Sequence, residues 1–185
     1  MADSLDKTII LETTTTILLD KPFVSRKTFR HFNGNLVQVK NDNLTGGNWQ
    51  PAIEGWDVRW YYRGLFTLSG KQEMPEIQSR ASLDGFFPLI TGATIHTPFP
   101  LLENDGQTIT RLQIRDKVHR EIAGCPVMAF VIDETILLSD NTLLANHNTL
   151  YLPDLGILID DPLQFKSSKG EPMQRSYTRF EAAPY

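Results

Sequence analysis

The stretch Gly55–Gly70, read GWDVRWYYRGLFTLSG, constrains this chain more than any other. If Trp56–Ser69 is extended, successive side chains point to opposite faces. Trp56, Val58, Trp60, Tyr62, Gly64, Phe66 and Leu68 then share one face, and Asp57, Arg59, Tyr61, Arg63, Leu65, Thr67 and Ser69 share the other. A helix would scatter the same rings around its circumference, whereas Trp, Tyr, Phe and Val suit a pleated, half-buried surface. At roughly 3.3 Å per residue the strand would run about 45 Å, well beyond the usual length. A bend is therefore expected at Gly64, as a bulge or a close approach of another backbone. Burying each ring contributes on the order of 2–3 kcal/mol, so the aromatic face is expected against a core.

The opposite face bears on function. Asp57, Arg59, Tyr61 and Arg63 alternate along it. It reads as a solvated outer face with cross-strand ion pairs, as the inner wall of a barrel or cleft, or as a subunit interface anchored by Trp, Tyr and Arg. As an inner wall, an arginine would hold an anionic or carbonyl group while Asp57 or Tyr61 handles a proton.

Composition narrows the classes. The chain has 185 residues, 41% of them apolar and 22% charged, which fits one globular domain, 1–185 with 1–7 and 181–185 as loose tails, that folds without a metal or disulfide. The net charge of −4 gives no basic footprint for a nucleic-acid backbone. Cys125 is the single cysteine, so no intrachain disulfide can form. With no secretory leader at Met-Ala-Asp-Ser-Leu-Asp-Lys and no apolar run of membrane length, the expectation is a cytoplasmic protein.

In chain order, Thr8–Leu19 reads as a strand with Ile9, Leu11, Ile17 and Leu19 on one face. Phe23–Lys40 reads as a hairpin around Asn33-Gly34, because a type I′ turn needs positive φ at both central residues. Asn41–Asn48 reads as a loop. After the aromatic strand, Lys71–Ser79 reads as a loop or one helical turn and Arg80–Thr97 as one or two short strands. Asp105-Gly106 marks a second hairpin, between Leu101–Asn104 and Gln107–Arg115. Asp116–Ala123 fits a short helix or a strand, ended by Gly124. From Pro126 the runs PVMAFVI, TILL, TLLA, TLYL and LGILI are continuously apolar, the pattern of strands buried on both faces. Tyr177–Phe180 reads as a last short strand before a loose tail.

Ten or eleven short strands with regular turns and no long helix predict an all-β, antiparallel β-barrel or β-sandwich. In character this is similar to lipocalin-like barrels, a resemblance of fold class alone. The candidate chemistry is sparse. His31 lies beside the Asn33-Gly34 turn. His119 and Glu121 share a strand face as an isolated pair, more suited to a structural role than to a metal site. Cys125, flanked by Gly124 and Pro126, reads as a buried structural cysteine. Asp160-Asp161 reads as a strand-ending turn. No nucleotide, phosphate-loop or nucleophile-elbow motif occurs, so no cofactor and no metal are expected. The first functional expectation is a small-molecule site in a barrel, with Asp57, Arg59, Tyr61, Arg63 and His31 as acid–base candidates. Trp49, Trp56, Trp60, Tyr62 and His96 would bind the ligand, a small apolar or aromatic molecule. If the site is catalytic, the chemistry is cofactor-independent isomerisation, cyclisation or lyase chemistry on a carbonyl- or carboxylate-bearing substrate. The alternative is a non-enzymatic assembly subunit with a sandwich fold, which carries a homo-oligomer with it. Neither reading involves nucleic acid or membrane.

Overall fold

The computed structural model describes residues 7–16, 22–32, 35–52, 58–70, 73, 75, 83–103, 107–163 and 174–184. Among these, twelve strands form two antiparallel sheets. The strands are β1 (Lys7–Thr16), β2 (Phe23–Phe32), β3 (Leu36–Thr45), β4 (Asn48–Pro51), β5 (Val58–Tyr62), β6 (Phe66–Ser69), β7 (Thr94–Pro98), β8 (Thr108–Ile122), β9 (Cys125–Leu138), β10 (Leu143–Leu152), β11 (Ile157–Asp160) and β12 (Gln174–Pro184). The first sheet runs β12-β1-β2-β3-β5-β6, with β4 also paired to β3; the second runs β11-β10-β9-β8-β7. Of the two all-β architectures expected, the chain takes the sandwich: the sheets remain separate and do not close into a barrel. Among the described residues, no helix is long and apolar enough to cross a membrane.

Tight turns fix the register. Gly46 and Gly47 (φ 59° and 83°), Arg63 and Gly64 (49° and 68°), and Ala123 and Gly124 (48° and 79°) each supply two successive positive φ values. This is the requirement of a type I′ turn, whose twist matches that of paired strands. The first of these turns makes Asn41–Asn48 the end of β3 and the start of β4 rather than a loop, with Thr45 opposite Asn48. The second divides the expected long aromatic strand into β5 and β6, and Leu65 N–H donates to the Tyr62 carbonyl at 3.1 Å. The third joins β8 to β9, so Asp116–Ile122 continues β8 past a bulge between Ile114 and Lys117. The Phe23–Lys40 hairpin forms in register, with Phe32 opposite Leu36; its Asn33-Gly34 turn lies outside the described residues.

Elsewhere the sequence pattern misplaces elements. Strand β8 pairs with β7, not with Leu101–Glu103; Asn104 and the expected Asp105-Gly106 turn lie outside the described residues. Leu101 and Leu102 N–H groups instead donate to the Thr67 and Leu68 carbonyls at 2.9 and 3.1 Å, which covers the outer edge of β6. Among the described residues of Arg80–Thr97 only β7 is a strand, and Leu83-Asp84 makes a helical turn; most of Lys71–Ser79 lies outside the described residues. The five apolar pieces after Pro126 are three strands, β9 to β11. Residues 181–184, expected as a loose tail, continue β12 in register with residues 10 to 7 of β1.

The alternating pattern fills two cores. On β1, Ile9, Leu11, Thr13 and Thr15 form the buried row. Central strands bury both faces: on β9, Ala129 and Val131 enter one core while Phe130 and Ile132 enter the other, and on β10 Leu150 and Leu152 alternate with Tyr151 in the same way. The β5–β6 turn is pressed onto the β10–β11 turn. A Cβ on Gly64 would lie 1.8 Å from the Gly156 carbonyl oxygen, and the Tyr151 hydroxyl donates to the Arg63 carbonyl at 2.9 Å. The close backbone approach expected at Gly64 is thus present, and it docks one sheet on the other.

Candidate functional site

A cavity of about 300 Å³ lies between the sheets, lined on one side by β2, β3 and β5 and on the other by β9, β10 and β11. Pairing register places its polar groups. In the first sheet Phe29, Val39 and Arg59 are successive cross-strand neighbours, Lys27 lies opposite Asn41, and Tyr61 lies opposite Val37. In the second sheet Glu134 lies opposite His147, and Thr149 opposite Asp160. Directly opposed side chains sit about 4.5–5.5 Å apart at Cβ, so each pair acts as one local cluster. Phe29, Val39, Leu158 and Ile159 add apolar wall.

Three side chains from the flanking strands tie the cavity's edge at β11. Lys27 Nζ donates to Asp160 Oδ2 at 3.0 Å, the Arg175 guanidinium binds the same oxygen, and the Tyr177 hydroxyl donates to the Asp160 carbonyl at 2.6 Å. Burial alone would raise the Asp160 carboxyl, but Lys27 and Arg175 outweigh it and hold the group below the usual aspartate value. Burial and the Asp160 charge push the Tyr177 phenol well above its ordinary value.

Glu134 behaves in the opposite way. Burial pushes its carboxyl up against the pull of His147 and Arg59, and Asp160 adds to the rise. Burial also raises the Tyr61 phenol, while the Arg59 charge beside it draws it down. Arg59 makes no ion pair with a carboxylate among the described residues. The cavity therefore holds one carboxylate kept ionised, one carboxyl displaced toward its neutral form, and a guanidinium free to accept an anion or polarise a carbonyl. Titratable groups driven apart in this way suit acid–base work.

The other candidates are dispersed. Trp56 and Asp57 lie outside the described residues. Arg63 leaves the shared face because its left-handed turn redirects it: its guanidinium meets Asp84 at 3.4 Å and stacks over Phe87. Trp60 and Tyr62 are core side chains, not cavity walls. Trp49 on β4 lies under the Arg26 guanidinium, 3.8 Å from the ring centre, and does not line the cavity. His96 is exposed on β7 opposite Arg111. His31 is half-buried, its ring against Gly156, outside the cavity wall. Cys125 is exposed at the Ala123-Gly124 turn, not buried, because it opens β9 where that strand leaves the core. Among the described residues no group of three or more His, Cys, Asp or Glu side chains is placed to hold a metal ion.

Sequence reasoning missed Lys27, Glu134, His147 and Asp160. One signal was available: Asp133-Glu134 interrupts the apolar run from Val127 to Leu138, and a charge inside a buried strand needs a partner or a task.

The fold and the cavity define an all-β sandwich with a small, charged inter-sheet site. No protein-family model and no curated protein match the sequence. Among solved structures, the chain is similar to one in the complex of Pseudomonas aeruginosa MucA/MucB, with 11% identity and a TM-score of 0.37 over 95% of this chain and 52% of that chain. At that score the likeness carries no argument. The chain spans about half the length of that neighbour.

Proposed function

We propose that this protein binds a small molecule in the inter-sheet cavity, with an apolar body against Phe29, Val39, Leu158 and Ile159 and a carbonyl or carboxylate oxygen at Arg59. The observation that carries this reading is Arg59 itself, a guanidinium without a carboxylate partner among the described residues, set beside Tyr61 in a mainly polar cavity that has Phe29, Val39, Leu158 and Ile159 in its wall. Arg59 is half-buried, so a ligand oxygen would give its guanidinium a charge-assisted hydrogen bond that no described carboxylate supplies by direct contact. If the ligand reacts, Tyr61, Glu134 and His147 are the proton carriers. The reaction class is then cofactor-independent isomerisation, cyclisation or elimination next to the bound oxygen. Native mass spectrometry of gently purified protein tests the reading. Wild type is expected to retain an extra small mass that Arg59→Met loses. Ligand-free wild type, with a melting temperature unmoved by octanoate or benzoate, would refute it.

A second reading, a homo-oligomeric assembly subunit, draws on a different observation. Pro98, Ile109, Leu137 and Leu143 are cross-strand neighbours in a row over β7 to β10, and Ile109 and Leu143 are 38% and 58% exposed. Exposed apolar rows mark association surfaces. Light scattering at high concentration should then show an oligomer that Leu143→Glu dissociates; a monomeric wild type eliminates this reading.

A further inference from the structure

The charges that line the cavity carry the ligand-binding reading further. Among the described lining residues there are two permanent cations, Lys27 and Arg59, and two carboxylic acids, Glu134 and Asp160. Asp160 is already engaged by Lys27 at 3.0 Å and by Arg175 from β12. That leaves Arg59 on the first sheet and Glu134 on the second. With both ionised they offset each other, and an anion placed at Arg59 meets the Glu134 carboxylate across the cavity. With Glu134 protonated, the Arg59 charge is in surplus and Glu134 presents an O–H donor instead of a repelling oxygen.

We propose that the cavity takes up a monocarboxylate together with one proton, the ligand carboxylate lying between the Arg59 guanidinium and a protonated Glu134. This rests on the ligand-binding reading above and names its ligand class and its control by pH. Two donor groups on facing walls suit the two oxygens of one carboxylate. A phosphate or sulfate would leave acceptor oxygens and charge unmatched, and an amide would set its own N–H groups against donors. The apolar walls take a hydrocarbon tail, and a volume at the small end of ligand pockets limits it to a short chain or a single ring. The groups facing Glu134 are His147 on β10, Arg59 and Tyr61 on β5, Lys27 on β2 and Asp160 on β11. The upward displacement of the Glu134 carboxyl by burial agrees with the arrangement. His147 lies opposite Glu134 across the β9–β10 pairing and is the control position.

Titration calorimetry with octanoate, from about pH 6.5 to about pH 8, separates these roles, since a simple carboxylate stays ionised over that range. Wild-type affinity should fall as pH rises, by up to about tenfold per pH unit, and the heat should depend on the buffer in the sense of proton uptake. Glu134→Gln should bind octanoate with no pH slope and no proton uptake, while His147→Gln keeps both. Octanamide should bind wild type at least about tenfold more weakly than octanoate, the lost charge-assisted bonds setting the scale. A slope that survives in Glu134→Gln, or vanishes in His147→Gln, overturns the assignment of the proton to Glu134. Octanamide binding as tightly as octanoate overturns the monocarboxylate class and leaves the cavity reading intact. If neither probe binds and no cavity resonance moves on addition, the ligand-binding reading falls with it.

Discussion

At Gly64 the β5–β6 turn meets the backbone of the β10–β11 turn, where an alanine Cβ would come within 1.8 Å of the Gly156 carbonyl oxygen. The residue also needs a φ of 68°, which L side chains resist. Gly64→Ala is therefore expected to cost at least about 2 kcal/mol, read as a lowered urea midpoint; an unchanged midpoint would mean the two turns do not pack. Asp160 and Glu134 make a paired residue-scale prediction with opposite signs. The folded Asp160 carboxyl titrates below the usual aspartate value, so its stabilisation is present above about pH 4 and is lost as pH falls through the folded value. Asp160→Asn should cost about 2 kcal/mol at neutral pH, with the deficit shrinking in acid. The folded Glu134 carboxyl titrates above the usual glutamate value, so its ionisation in the fold costs stability that appears as pH rises past about 4.3. Glu134→Gln should therefore gain stability at neutral pH and nothing in acid. Unfolding both variants across pH checks the signs.

At the scale of elements, type I′ turns locate three hairpins, and two of them, at Arg63 and at Ala123, are made by a residue poorly suited to positive φ. Ala123 holds a φ of 48°, so Ala123→Gly should stabilise the β8–β9 hairpin by up to about 1 kcal/mol, seen as a raised melting temperature. A drop would show that the methyl group contributes packing that outweighs the strain. Strand type was legible where apolar residues alternate, as in Ile9, Leu11 and Thr13, and where they run on without a break, as in Ala129–Ile132. Strand ends were not. Arg63-Gly64 looks no different from a kink inside a strand, because positive φ at an arginine is imposed by docking on Gly156 and Tyr151, not by its own preference. The same limit hid the site. Arg59 and Tyr61 were visible as neighbours on one face, but Glu134 and His147 join them only through pairing of β9 with β10 and packing of that sheet across the cavity.

The whole molecule has two cores that share strands. Ile132 and Leu150 are each fully buried, in different cores, and β9 and β10 contribute to both. Ile132→Ala and Leu150→Ala should each cost about 2–4 kcal/mol and shift one common transition, followed by tryptophan fluorescence and far-ultraviolet circular dichroism together. Two separable transitions would show that the cores unfold independently.

The sequence by itself determined that this chain is built of antiparallel strands with buried alternate faces. Those features depend on residue type and on the two-residue period of an extended backbone, both local. The choice of a sandwich over a barrel, the division of the aromatic stretch at Arg63-Gly64, and the meeting of Arg59 and Tyr61 with Glu134, His147 and Asp160 were decided only by tertiary structure. Each depends on which strands pair, in what register, and on how closely the two sheets approach, and those distances join residues far apart along the chain.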